Sequence, residues 1–104
     1  MIIEERDYRI VTGRTRQFVS LYEEHGLPLQ LKYLERLLGY FISEIGELHH
    51  VVSLWGFTGL DDRMERRDRM QASDEWKNYL KRVDGLVDVQ TSRILRPTSF
   101  SPIK

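Results

Sequence analysis

The spacing of apolar residues changes several times along the chain, and each change marks a predicted element of secondary structure. Residues 2–11 are predicted to form a strand, although four consecutive charged residues interrupt its strand-forming side chains. Successive residues of a strand point to opposite faces. One face of this strand therefore carries Glu4, Arg6, Tyr8 and Ile10, and the other carries Ile3, Glu5, Arg9 and Val11.

Helical spacing follows the first strand. Four residues recur at i, i+3, i+4 and i+7 and predict a helix over residues 14–25. These residues are Phe18, Leu21, Tyr22 and His25. Gly26 is expected to stop or bend this helix, and Pro28 is typical of the start of a second helical stretch. The inner stripe of that stretch is predicted to be Leu27, Leu31 and Leu34.

Residues 37–57 predict two strands around a turn at residues 45–47, because Gly46 lies between two strand-forming runs. The second run has two adjacent valines and then a leucine and a tryptophan, with little alternation between apolar and polar positions. A strand that does not alternate is typically buried on both faces. We therefore predict this one to be buried on both sides.

Two more helices and a last strand complete the pattern. Residues 59–71 predict a charged helix, with Thr58 and Asp61 as its cap and a thin inner face. That inner face is predicted to contain Leu60, Met64 and Met70. Ser73 is predicted to cap the next helix, which ends at Gly85. Its apolar stripe is Trp76, Tyr79, Leu80 and Val83. Residues 86–96 predict the last strand, and residues 97–104 form a tail.

The order strand, helix, strand, strand, helix, strand is that of an α+β, ferredoxin-like βαββαβ domain with a four-stranded antiparallel sheet. Helices in this arrangement cover one face of the sheet. The third strand is too apolar for the uncovered face to remain in water, since each exposed Val or Trp would cost roughly 1.5–3 kcal/mol. A second copy is expected to cover that face, and the two sheets of the resulting homodimer would enclose a barrel-like cavity.

Composition narrows the function classes. The 104 residues include 16 basic and 16 acidic residues, so a nucleic-acid partner or an anionic membrane surface is not expected. The arginines between Arg63 and Arg69 alternate with acids, which is typical of a solvated helix face. The chain has no cysteine and no membrane-length apolar run, and its acidic start differs from a signal peptide. We therefore expect a cytoplasmic bacterial protein.

Polar residues of the first and last strands are the first candidates for a binding site. Glu4, Arg6 and Tyr8 share one face, where Arg6 could bind an anion and Glu4 could act as a base. An ion-pair network that holds the dimer together is the structural alternative. Arg93 could pair with Glu4 or with a carboxylate ligand, or it could form a structural ion pair.

Histidines and aromatic residues are the other candidates. His49 and His50 are adjacent on a predicted strand and would point to opposite faces, so no metal site is expected. Tyr40 and Trp55 could line a pocket or belong to the core. No phosphate-binding or nucleophile motif occurs, and no cofactor is expected.

Several segments together resemble the NIPSNAP family. They are IIEERDYRIVTG, EEHGLPL, LLGYFISEIGELHHVVSLWGF, LDDRMERR, DEWKNYL and RILRPTSFSP, which follow one another across nearly the whole chain. The resemblance implies one domain over residues 1–104 that forms a dimeric α/β barrel. It also implies a His two positions before Trp55, where this chain has Ser53. It implies no particular reaction.

Three hypotheses about function remain open from the sequence. The chain could be a homodimeric module that binds a small molecule without catalysis. It could be a cofactor-free enzyme, similar to a monooxygenase or an isomerase, which acts on a small hydrophobic or aromatic substrate in the barrel. It could also be an interaction module whose tail, FSPIK, docks on another chain.

Overall fold

A computed structural model describes residues 1–104 and contains the predicted order of elements. The strands are β1 (Ile2–Ile10), β2 (Leu37–Ile42), β3 (His50–Phe57) and β4 (Val87–Leu95). The helices are α1 (Thr15–Leu21), a π-helical turn (Tyr22–Gly26), α2 (Leu27–Leu34), α3 (Leu60–Ala72) and α4 (Asp74–Arg82). None of these helices combines the length and the apolar character that crossing a bilayer requires.

The strands form one sheet in the order β2-β3-β1-β4, and every neighbouring pair is antiparallel. This confirms the α+β, ferredoxin-like fold. β1 lies at the centre of the sheet, where Glu4 is opposite Trp55 of β3 and Ile94 of β4. Side chains at these positions therefore share the face that the helices cover.

The core lies between the sheet and the helices. Its most deeply buried residues are Ile10, Phe18, Leu34, Val51, Trp55 and Met70. The sequence suggested that the Val and Trp side chains of this strand make the uncovered face apolar. Val51 and Trp55 instead point towards the helices and belong to the core. β3 is fully buried only on its helix side, because Val52 and Leu54 on the other side are partly exposed. The prediction that β3 is buried on both faces is wrong for a single chain.

The uncovered face of the sheet mixes apolar side chains with ion pairs. The Arg93 Nε and the Glu5 Oε1 are 2.8 Å apart, and the His50 Nδ1 and the Asp7 Oδ1 are 2.6 Å apart. Val52 and Leu54 lie beside these pairs. The molecule extends 40 and 36 Å in two directions but only 19 Å in the third, as expected for one helical layer on one sheet.

Gly26 does not stop the first helical run, because a π-helical turn carries the helix through it into α2. A Cβ atom at Gly26 would lie 2.6 Å from the Tyr79 Cζ, so the absence of a side chain allows the close approach of α4. The stripe predicted for α2 is correct only in part. Leu34 is buried, but Leu31 is exposed and Gln30 is buried instead.

The inner face of α3 is largely cationic. Arg63, Arg67 and Met70 point towards the sheet, whereas Leu60 and Met64 are more than half exposed. The inner face predicted for α3 is therefore correct for Met70 but wrong for Leu60 and Met64, and the prediction that all the arginines are solvated is wrong. The expected cap also differs, because the Thr58 backbone N–H donates to Asp62 (3.0 Å) rather than to Asp61. The N-cap of α4 is confirmed, since the Ser73 Oγ accepts from the Trp76 backbone N–H.

Candidate functional site

A fully buried carboxylate, Glu4, lies at the centre of the sheet on its helix-covered face. Its Oε2 accepts hydrogen bonds from the Arg63 Nη2 (2.7 Å), the Arg6 Nη1 (3.0 Å) and the Ser92 Oγ (3.1 Å). Its Oε1 is also buried but has no partner within the chain. The Trp55 indole N–H, at the paired position of β3, is likewise buried without a partner.

Three arginines surround this single carboxylate. Arg6 comes from β1, and Arg63 and Arg67 come from successive turns of α3. Arg67 forms no ion pair within the chain, and its Nη1 is buried without an acceptor. Burial and the neighbouring charge of Arg6 lower the pKa of Arg67. The cluster therefore holds two more positive charges than negative ones.

The cluster keeps Glu4 ionised. Burial alone would raise the pKa of Glu4, but the hydrogen bond from Arg63 and the charges of Arg6, Arg63 and Arg67 outweigh it. The pKa of Glu4 consequently lies below its ordinary value. A carboxylate with a lowered pKa is a weak base, so the arrangement disfavours the role of Glu4 as a general base.

An aromatic cavity of about 50 Å³ lies beside this cluster, between the sheet and helices α1 and α4. Its lining combines aromatic rings with amide and hydroxyl groups: Tyr8, Phe18, Tyr22, Gln30, Tyr40, Ser53, Trp76, Tyr79, Leu80, Val83, Val87 and Gln90. The Tyr22 and Tyr40 rings are stacked, with centroids 4.5 Å apart. Burial raises the pKa of Tyr22, Tyr40 and Tyr79, which keeps their hydroxyl groups protonated.

Tyr8 joins the cavity to the arginine cluster. Its ring lines the cavity, and its hydroxyl oxygen accepts a hydrogen bond of 2.9 Å from the Arg6 Nε. Arg6 is paired in register with Ser53, which also lines the cavity. The two features are therefore adjacent parts of one site.

This site is open towards β4. The helix-side residues of β4 near the site, Gln90, Ser92 and Ile94, are exposed because the helical layer does not extend over this edge strand. Ser92 nevertheless reaches Glu4, and Gln90 lines the cavity. A molecule from solvent can therefore approach both the arginines and the aromatic rings along β4.

The structure brings together four of the seven residues that the sequence suggested for a site. Glu4, Arg6 and Tyr8 share the helix-covered face of β1, and Tyr40 lines the cavity with Tyr8. Trp55 is buried on the same face, opposite Glu4, but it does not line the cavity.

The other two suggested residues lie elsewhere. His49 has a positive φ of 67° in the turn before β3, so it is not a strand residue as expected. Arg93 is on the uncovered face, where it pairs with Glu5 rather than with Glu4. No group of three or more histidine, aspartate and glutamate side chains is arranged to hold a metal ion.

Sequence reasoning missed Arg63 and Arg67. A signal was present, because the two arginines and Met70 have the i, i+4, i+7 spacing of an inward helix face. Apolar residues usually define such a face, so the pattern favours Leu60 and Met64 instead.

Replacement of Glu4 by Gln tests the cluster. The amide is similar in shape but neutral, so the variant leaves the guanidinium groups without a counter-charge. We expect the free energy of unfolding in urea to fall by about 3 kcal/mol at pH 7. Glu65→Gln is the matched control, because Glu65 is exposed and its ion pair with Arg69 is long, at 3.9 Å, so its loss should change the free energy of unfolding little.

The difference between wild type and Glu4→Gln is also expected to depend on pH. Because the folded-state pKa is lowered, the stability that Glu4 contributes is fully present above its ordinary value of 4.5 and is lost as the pH falls through the folded-state pKa. Equal stability of the two proteins at pH 7 would contradict this interpretation.

Comparisons with known proteins agree with one another. The NIPSNAP family model matches residues 3–102. Protein NipSnap of Drosophila melanogaster is 30% identical over 101 residues, which cover 97% of this chain and 36% of the fly protein. The chain thus spans little more than a third of that relative.

Solved structures add two observations. A NIPSNAP family protein with unknown function from Agrobacterium tumefaciens is 38% identical, with a TM-score of 0.97 over 100% of this chain and 94% of that one. An antibiotic biosynthesis monooxygenase is 13% identical, with a TM-score of 0.63 over 94% of this chain and 99% of that one. This second likeness shows the fold alone. The family-model match over nearly the whole sequence, together with its close structural relative, shows that the chain belongs to the NIPSNAP family.

Proposed function

We propose that this NIPSNAP domain is a homodimer that binds a small organic molecule between its sheet and its helices. The observation that carries the proposal is the aromatic cavity, which lies beside a charged cluster and opens along β4. Concave sites that combine apolar walls with a few polar groups are typical of ligand binding. The binding of a ligand requires no nucleophile or metal, which agrees with the residues present.

The size of the cavity indicates how a ligand would lie. Its 50 Å³ is far below the roughly 300–1,000 Å³ of pockets that enclose drug-sized molecules. The cavity therefore receives one apolar part of the ligand, and the rest extends along the open side over β4. The Tyr22 hydroxyl already donates to the Gln30 Oε1 (2.5 Å), so the Tyr40 and Tyr79 hydroxyls, the Gln30 amide N–H groups and the Gln90 side chain are the groups that can bond to a ligand at its wall.

Surface area supports the homodimer. The chain exposes 6907 Å², whereas a monomer of its mass is expected to expose roughly 6,100 Å². The chain therefore exposes roughly 800 Å² more than average, which agrees with a surface that a partner covers in part. The uncovered sheet face is the natural location, since Phe41, Val52 and Leu54 lie together on it, Phe41 exposed and the other two partly exposed.

The enzymatic hypothesis has less support. The polar residues that could transfer protons or bind an anion do not converge: Glu4 and Tyr8 share one face, but His49 lies in a turn and Arg93 lies on the opposite face. Glu4 is held as a weak base by the arginines. Likeness of fold to a monooxygenase carries no argument about chemistry at 13% identity.

A thermal-shift screen with a library of small metabolites tests the binding of a ligand. A ligand at 100 times its Kd adds about 2.7 kcal/mol to the free energy of unfolding, and Gln90→Trp is expected to abolish that gain by filling the open side of the cavity. Gln90 is exposed, so the melting temperature without ligand should change little. Gln71→Trp, at an exposed position of α3, is the control that should bind normally. Full binding by Gln90→Trp would contradict the proposed site.

Sedimentation velocity tests the dimer. Wild type is expected at twice the chain mass of 12.4 kDa, whereas Leu54→Lys places a charge on the uncovered face and should give the mass of one chain. Leu31→Lys is the matched control, because Leu31 is exposed on the helical layer. A monomeric wild type at micromolar concentration would remove this part of the proposal.

A further inference from the structure

We propose that Arg6, Arg63 and Arg67 bind the anionic oxygen group, a carboxylate or a phosphate, of the small molecule whose apolar part enters the aromatic cavity. This inference rests on the proposed function and names the chemical class of the ligand. No comparison assigns a ligand to these residues. The charge, the hydrogen bonds and the accessibility of the cluster all favour an anion.

The charge balance is the first argument. Three guanidinium groups face one carboxylate, Glu4, and no other acidic side chain forms an ion pair with any of them. Asp62 and Glu35 both pair with Arg66 rather than with the cluster. Ions removed from water need a compensating partner. A bound anion would supply the missing negative charge.

The unused hydrogen-bonding atoms are the second argument. Three buried donors lack an acceptor within the chain: the Arg63 Nε, the Arg67 Nη1 and the Trp55 Nε1. The only unused acceptor of the cluster is the Glu4 Oε1. Donors therefore outnumber acceptors, so the group that fits is rich in acceptors. Oxygen anions meet this condition, and guanidinium groups bind them with two parallel hydrogen bonds.

Accessibility and position are the third argument. The Arg6 and Arg63 side chains are 13% and 24% exposed to solvent, so an anion can reach them from the side of β4. Arg6 also donates to Tyr8, whose ring lines the cavity. A molecule with an anionic group next to an apolar body would therefore contact the arginines and the aromatic rings together.

The test uses benzoate, phenyl phosphate and benzyl alcohol as probes, in a phosphate-free buffer of matched ionic strength. Nitrogen–proton NMR spectra report directly on the Arg63 Nε–H and on the Trp55 indole N–H. The chain has two tryptophans, and Trp76→Phe identifies the signal of the other one. We expect saturable shifts of both signals with benzoate or phenyl phosphate and no shift with neutral benzyl alcohol. The two anions distinguish a carboxylate ligand from a phosphate ligand.

Arg67→Gln is expected to weaken the binding of the anion roughly tenfold or more, since a hydrogen-bonded charge is removed. Arg69→Gln makes the same change on the same helix at an exposed side chain and should bind as wild type. Without anion, Arg67→Gln should melt at the same temperature as wild type or higher, because an unpaired guanidinium is lost. A clear decrease would assign Arg67 a structural role and overturn the inference.

The remaining outcomes separate this inference from the proposed function. If neither anion shifts the signals, or if Arg67→Gln binds them as wild type does, the anion site is wrong. If neutral compounds from the library still bind in the cavity, the proposed function stands without the anion site. If no compound of any charge binds, both fail.

Discussion

A carboxylate buried at the centre of the sheet constrains the rest of this domain. An ionised group removed from water must be paired, and β1 offers Glu4 only one partner, Arg6, on its own strand. The second partner, Arg63, comes from α3, and Ser92 comes from the edge strand β4. One side chain thus ties three elements together. It also explains why the inner face of a helix is lined with arginines in place of leucines.

The same constraint divides the side chains between the sheet and the helices into two parts. Around Tyr8 they are mostly aromatic, with Phe18 and Tyr22 buried. Around Glu4 they are charged, because guanidinium groups on long side chains keep some contact with water while their stems pack. A site with an apolar wall and a cationic wall results from the packing itself. Ser53 lines the aromatic cavity, at the position where the family resemblance implies a His.

Local patterns predicted the fold well. Alternation in β1 correctly placed Glu4, Arg6 and Tyr8 on one face, and the order of elements gave the topology. The errors came where tertiary contacts override a local signal. Gly26 reads as a helix stop, but its missing side chain lets Tyr79 approach a continuous helical run. Arg63 and Arg67 read as solvated, because a sequence cannot show that a buried carboxylate from another element lies opposite them. Arg93 and Glu4 seemed plausible partners, but pairing is decided by the face of each strand, and theirs differ.

The central claim is that the arginines outweigh burial at Glu4. Carbon-13 NMR of the Glu4 side-chain carboxyl, followed through an acid titration of the folded protein, measures this balance at the atom concerned. We expect a midpoint below the ordinary pKa of 4.5. A midpoint at or above that value would mean that burial prevails, and it would contradict the cationic cluster on which the proposed site depends.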